Sequence, residues 1–240
     1  MLKFNTIETL PITRSKENID EVIEKNFSPF AQKLIEKYPY LKESLNEQKE
    51  ELDQYGFEHI KGTTRKSEIL SEFLGLDDDD KNTLVQAAIL HDYGKIAPEI
   101  KHIFQSSKEY ANFSDEEKDL KERHSTERLD WMKRRKVPSD IIHIVASHHE
   151  PEYRRQNNER RKASIDTGND RRISDGRRRN VSEHLKYLKH IFSLIDKTDA
   201  ILNPRSYKKA VAPLECENIL RKYFTNEDDA LITHFLIEKN

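Results

Sequence analysis

Apolar residues recur along most of the chain at intervals of three and four, and runs of alternating β-branched residues are nearly absent, so the pattern predicts an all-α fold. Helices are expected over 18–26, 29–37 and 41–54, with Ser28-Pro29 as a cap and first-turn pair. A longer helix over 57–74 should stop at Gly75, which suits a left-handed terminus. The next, 81–91, follows four aspartates, Asp77 to Asp80, whose side chains favour a helix start. Ser114 with Glu117 forms a capping box opening a helix that carries Leu120, His124 and Trp131 on one side. Ser139, after Pro138, should cap a helix through Ile141, Ile142 and Val145 to His148 and His149. A last stripe, Leu185, Leu188, Phe192, Ile195, Asp199 and Leu202, runs until Asn203-Pro204.

Several polar residues fall on the inward faces of these helices. Leu84, Ala87 and Ala88 share a face with His91, and Val85, Ala88 and Ile89 back Asp92. Burying a carboxylate there is costly unless a cation or strong hydrogen bonds compensate. His124, the pair His148 and His149, and Asp196 repeat the situation, and with His59, placed in the first turn of the 57–74 helix, they give a candidate ligand set of His59, His91, Asp92, His124, His148, His149 and Asp196. Imidazoles and carboxylates suit zinc, iron, manganese or nickel, and seven of them exceed the needs of one tetrahedral ion. Two divalent transition-metal ions are expected. Such a pair, held about 3.5–4 Å apart, activates a water as hydroxide and clamps a phosphoryl centre during in-line displacement, which makes phosphoester hydrolysis the expected reaction. Lys95, one turn after His91, can place positive charge near the developing phosphorane oxygens.

Composition narrows the setting. Six glycines in 240 residues disfavour a turn-rich β fold, and Cys216, the only cysteine, excludes an internal disulfide or a thiolate cluster and fits a reducing compartment. The first twenty residues lack a basic segment followed by an apolar core, and no stretch approaches the ~20 apolar residues of a membrane span. A cytoplasmic protein without a membrane partner is expected. The net charge of −2 is uneven, because Arg154 to Arg179 holds ten Lys or Arg against four Asp or Glu, leaving −8 elsewhere. The segment 154–181 reads as a flexible, solvated insertion, and the rival reading makes it, or the N-terminal helices, a contact for a partner protein, with nucleic acid disfavoured.

The motifs resemble the HD phosphohydrolase superfamily and, within it, the HD-GYP branch of cyclic di-GMP phosphodiesterases. The matching features run in the same order: His59 on a helix, HDYGK from His91 to Lys95, His124, HHE from His148 to Glu150, and LIDKTDAILNPRSYKKAV from Leu194 to Val211. The resemblance spans 55–213 and implies an HD-domain helical bundle over 55–240, preceded by a helical lead-in over 1–54. It implies that Asp92 bridges two metals, with His59, His91 and Asp196 completing one and His124, His148 and His149 the other. Lys95 would polarise the scissile phosphate or hold the hydroxide, Arg205 and Lys208 would grip the dinucleotide phosphates, and Asp199 would support that substrate side. Iron or manganese would be the ions, zinc or nickel the alternatives. The implied activity is hydrolysis of a cyclic dinucleotide, with cyclic di-GMP as leading candidate and Asp92 and Lys95 as the catalytic pair. Two features depart from the branch: HHE runs into PEYRRQNN without a glycine-tyrosine-proline element, and Tyr55 stands where members with three metals carry glutamate. The first leaves open a non-catalytic cyclic-dinucleotide receptor or an enzyme acting on another nucleotide. The second implies two metals rather than three.

Overall fold

Asp53 accepts a hydrogen bond from the Gly56 amide and thereby starts the long helix that carries His59. The computed structural model describes residues 18–105, 112–149, 182–203, 211–221, 224 and 232. Among them the chain is helical and without strands: α1 (Ile19–Asn26), α2 (Pro29–Lys37), α3 (Pro39–Glu51), α4 (Gln54–Phe73), α5 (Asp78–Leu90), α6 (Lys101–Phe104), α7 (Asp115–Glu122), α8 (Leu129–Arg134), α9 (Ser139–Ser147), α10 (Glu183–Leu202) and α11 (Pro213–Leu220), with 3-10 turns at Tyr93–Ile96 and Arg123–Ser125. This is the all-α bundle that the periodicity predicts.

The local signals act as physical chemistry requires. Ser28 caps Ala31 with Pro29 in the first turn, Asp77 caps Asp80 while the other aspartates form the first turn of α5, and the Ser114–Glu117 box is reciprocal. Gly75 ends α4 at φ +65°, with the Leu76 amide reaching back to the Ser71 carbonyl. Three expectations change. With α4 beginning at Gln54, His59 lies in its second turn. Pro138 rather than Ser139 occupies the cap of α9. The single helix drawn through Ser114, His124 and Trp131 is broken, because Arg128 adopts φ +64° and separates α7 and its 3-10 turn from α8.

Helix α5 is the axis of the bundle. Leu84, Val85 and Ala87 to Leu90, in its C-terminal half, have no exposed surface, as befits a segment that is apolar on nearly every side. α4, α9, α10 and α3 pack around it. The helices α1 to α3 share its core through Ile23, Ile35, Leu41 and Leu45, and polar contacts fix the register: Tyr40 donates to Gln86 and the Gln48 amide to the Ile89 carbonyl. Phe73, at the end of α4, is 48% exposed, whereas Trp131 is buried against Tyr93. The C-terminal end of α5 therefore opens into the centre of the bundle, and there the chain places His91 and Asp92.

Candidate metal centre

Side chains from α4, α5, α9, α10 and the turn after α7 converge at this point. His91 closes α5, and Asp92 follows with φ −96° and ψ 3°, turning the chain into the 3-10 segment Tyr93–Ile96. Gly94 lets that segment lie against the His124 turn: a Cβ there would stand 1.9 Å from the His124 carbonyl oxygen. The spacing HDYGK thus sets the distance between two ligand-bearing segments as well as supplying ligands.

Three rings are oriented in the same way. Nδ1 of His91, His124 and His148 each lies against the carbonyl oxygen three residues back, Ala88 at 2.8 Å, Lys121 at 2.6 Å and Val145 at 2.7 Å. Each contact fixes the proton on Nδ1 and leaves Nε2 with its lone pair facing the common space. His59 differs, since its Nδ1 donates to the Asp199 carboxylate at 2.6 Å. Its Nε2 is 3.0 Å from Asp196 Oδ1 and 3.2 Å from Nε2 of His91. On the other side, Nε2 of His149 is 3.0 Å from Nε2 of His124, and His149 is the member whose ring reaches solvent.

Asp92 lies between the two clusters. Its Oδ1 is 3.4 Å from His124 Nε2, while Oδ2 is 3.4 Å from His91 Nε2, 3.8 Å from His59 Nε2 and bonded to Lys95. The ligand atoms of His59, His91 and Asp92 form one compact group and those of His124, His148 and His149 another, each within 4.8 Å. All seven proposed ligands are therefore brought together, with Asp196 adjoining the first group. Lys95 joins them through Asp92, and its ammonium also lies 5.5 Å from the Phe104 ring, which stands edge-on to His124.

The electrostatics favour ligation. Burial alone would raise the Asp92 carboxyl, but the fields of His91 and Lys95 override it and hold the group well below the usual carboxylate range. Burial would likewise raise Asp196, and hydrogen bonding and charge from His59 pull it well down. Burial pushes His124 below the ordinary imidazole value and His148 to about 3. The carboxylates stay anionic and these imidazoles neutral, which is the form a metal takes. A direct sign of fit is the His148 Nε2 atom, a buried acceptor with no hydrogen-bond partner. The all-nitrogen-and-oxygen donor set, one orphaned lone pair and a carboxylate facing both clusters match a pair of divalent ions. Cys216, buried on α11, is apart from the set.

Asp199 is tied to the metal cluster through His59. It has no exposed surface and lies behind His59, its Oδ1 bonded to the Lys66 ammonium and to the Asn203 amide at 2.7 Å. Arg205 and Lys208, and the insertion 154–181, lie outside the described residues. Lys66 is the residue that pattern reading missed. Its signal was its position seven residues after His59, on the same face of a helix whose inward side it joins. Of the histidines outside the set, His190 packs on Phe224 and His184 bonds Asp80 at the far end of α5.

No helix among the described residues is long and apolar enough to cross a membrane. Neither the curated proteins nor the solved structures contain a match to the chain. The model of the HD domain family matches residues 56–201, a span that begins three residues before His59 and ends two after Asp199. With the histidine-aspartate doublet at the centre of its metal-binding geometry, the chain belongs to the HD domain family, and so to the HD-domain metal-dependent phosphohydrolases.

Proposed function

We propose that the protein is a metal-dependent phosphodiesterase that opens a cyclic dinucleotide, cyclic di-GMP first among them, to the linear form. The observation that carries the reading is Asp92, whose two oxygens face two separate histidine groups, the arrangement a binuclear hydrolytic centre needs. When bound, two divalent ions, iron or manganese in this reading, supply a nucleophile at neutral pH and charge to both ends of an in-line displacement. His59, His91 and Asp196 would hold one ion, His124, His148 and His149 the other, and Asp92 both. Lys95 holds its ammonium on the Asp92 oxygen that faces the first group and is partly exposed, so it can also meet a phosphate oxygen. His91, His148 and Asp92 are closed off from water, while Lys95, Phe104 and His149 line the side that reaches it, and substrate is assigned to that side.

The choice of a cyclic dinucleotide is supported by the run from Asp196 through Arg205 to Lys208, which matches the phosphate-gripping stretch of the HD-GYP branch. A second reading, a receptor that binds the same ligand without cleaving it, draws on the absent glycine-tyrosine-proline element after His149. Protein loaded with manganese or ferrous iron, incubated with cyclic di-GMP, cyclic di-AMP and mixed cyclic dinucleotides, and followed by chromatography separates them. Linear dinucleotide supports the enzyme. Binding with intact ligand over hours selects the receptor, and turnover of other phosphoesters alone selects a different nucleotide substrate.

A further inference from the structure

Helices α4 and α10 pack against each other with residues at matched spacing: His59, Gly62 and Lys66 on one, Asp196 and Asp199 on the other with Asn203 at its C-cap. Gly62 is the contact point, since a Cβ there would stand 2.1 Å from Asp199 Oδ1. The seam buries an ion pair. Lys66 is 6% exposed and Asp199 not at all, and the ammonium bonds the carboxylate directly. Burying such a pair is costly, and well-packed apolar residues in place of a buried ion pair are often as stable or more so, so stability is a weak reason for it.

The carboxylate is divided by function. Its Oδ1 takes Lys66 and Asn203, and its Oδ2 takes His59 Nδ1. The other three buried rings are oriented by the carbonyl of their own helical turn, which any sequence would provide. His59 alone depends on side chains from elsewhere. We infer that Lys66 is a positioning residue for the metal centre: with Asn203 it locks the Asp199 carboxylate in the rotation that holds the His59 Nδ1 proton, and so aims Nε2 at the metal position shared with His91 and Asp196. The inference rests on the metal-centre reading above. It makes the two metal positions unequal, because only one depends on the seam.

Lys66→Met removes the charge while keeping an unbranched apolar chain, and Lys66→Arg keeps it. Metal content after dialysis and zinc affinity by competition with a chromophoric chelator are measured for wild type and both variants, with circular dichroism to establish folding. The expected result is that Lys66→Met keeps one ion per chain at wild-type affinity and binds the other about 10–100-fold more weakly, with Lys66→Arg largely restoring it. In zinc-loaded protein the His59 Nδ1 proton, observed by imidazole nitrogen–proton NMR, should be slow to exchange in wild type and lost to exchange in Lys66→Met. If Lys66→Met does not fold, Asn203→Ala, at the helix end, tests the same carboxylate and should weaken the same ion. Equal affinity for both ions in the variants, or equal weakening of both, overturns the proposal. Failure of wild type to bind two ions instead overturns the metal-centre reading itself.

Discussion

The Nδ1–H of His148 donates to the carbonyl oxygen of Val145 at 2.7 Å, which leaves the Nε2 lone pair on the opposite edge buried and without a donor. Burial also keeps the ring from taking a second proton, holding its pKa at about 3. An unsatisfied buried acceptor costs about 1–3 kcal/mol, and a divalent cation is the partner this geometry admits.

Metal should therefore stabilise the fold measurably. Free ion at 100 times its dissociation constant adds about 2.7 kcal/mol per site, worth roughly 5–10 °C in a domain of this size. Scanning calorimetry of the metal-loaded protein with and without excess chelator should show at least that drop. An unchanged midpoint would falsify the ligand role of the cluster.

Asp92→Ala removes the one carboxylate that faces both histidine groups. Elemental analysis should find the two ions per chain of the wild type lost from the variant on dialysis, and turnover should fall by at least about 10²–10³-fold. Two ions retained would mean that each group suffices alone and that Asp92 does not bridge them.

Gly94 and Gly75 should both lose stability on substitution by alanine but differ in metal content. At Gly94 the new methyl would collide with the His124 backbone, so Gly94→Ala must displace a ligand segment; it should cost near the top of the ~1–3 kcal/mol range for overpacking and weaken the ion held by His124. At Gly75 there is open space but φ is +65°, so Gly75→Ala should cost about 1–2 kcal/mol and leave metal content untouched. Urea titration and metal analysis distinguish the two, and equal metal loss in both would show that the close approach at Gly94 is unimportant.

These contrasts show what a sequence can and cannot disclose. His91 and Asp92 were legible because Leu84, Val85, Ala87 and Ala88 declare the face they stand on, and a carboxylate on such a face needs a partner. His124 and Asp196 followed by the same reasoning, whereas His59 had only its place in a helix and the family resemblance to single it out. The break at Arg128 was illegible, since an arginine at positive φ is set by packing rather than by its own preference. Lys66 escaped because a lysine in a helix ordinarily reads as solvated, and its partner lies 133 residues away. Asp199 was legible as part of the stripe of its helix but without a neighbour: periodicity gives a face, and only the docking of α10 on α4 decides that it meets His59.

Stripped of metal, the protein should lose stability steadily as the solution is acidified from neutral pH. His124 and His148 have folded values depressed by burial, the latter to about 3, against an unfolded value near 6.5. Between those values the unfolded chain takes up protons that the native state refuses, so each such histidine removes up to about 1.4 kcal/mol of stability per pH unit as pH falls. The aspartates act further down. Burial would raise the Asp199 carboxyl, but the hydrogen bond and charge of His59, with Lys66, hold it at about 2, so its contribution is present above the unfolded value of about 3.9 and is lost as pH falls toward 2. Had the two histidines instead been charged in the fold by their neighbouring carboxylates, acidification through 6.5 would raise stability. Urea midpoints in chelator from pH 7.5 to 4.5 decide between the two signs. A fall is expected, and His148→Gln, which cannot take up that proton in either state, should flatten part of the slope. A midpoint that rises between pH 7.5 and 5.5, with the rise reduced in His148→Gln, would show that the His148 ring is protonated in the native protein and is not held ready as a metal ligand.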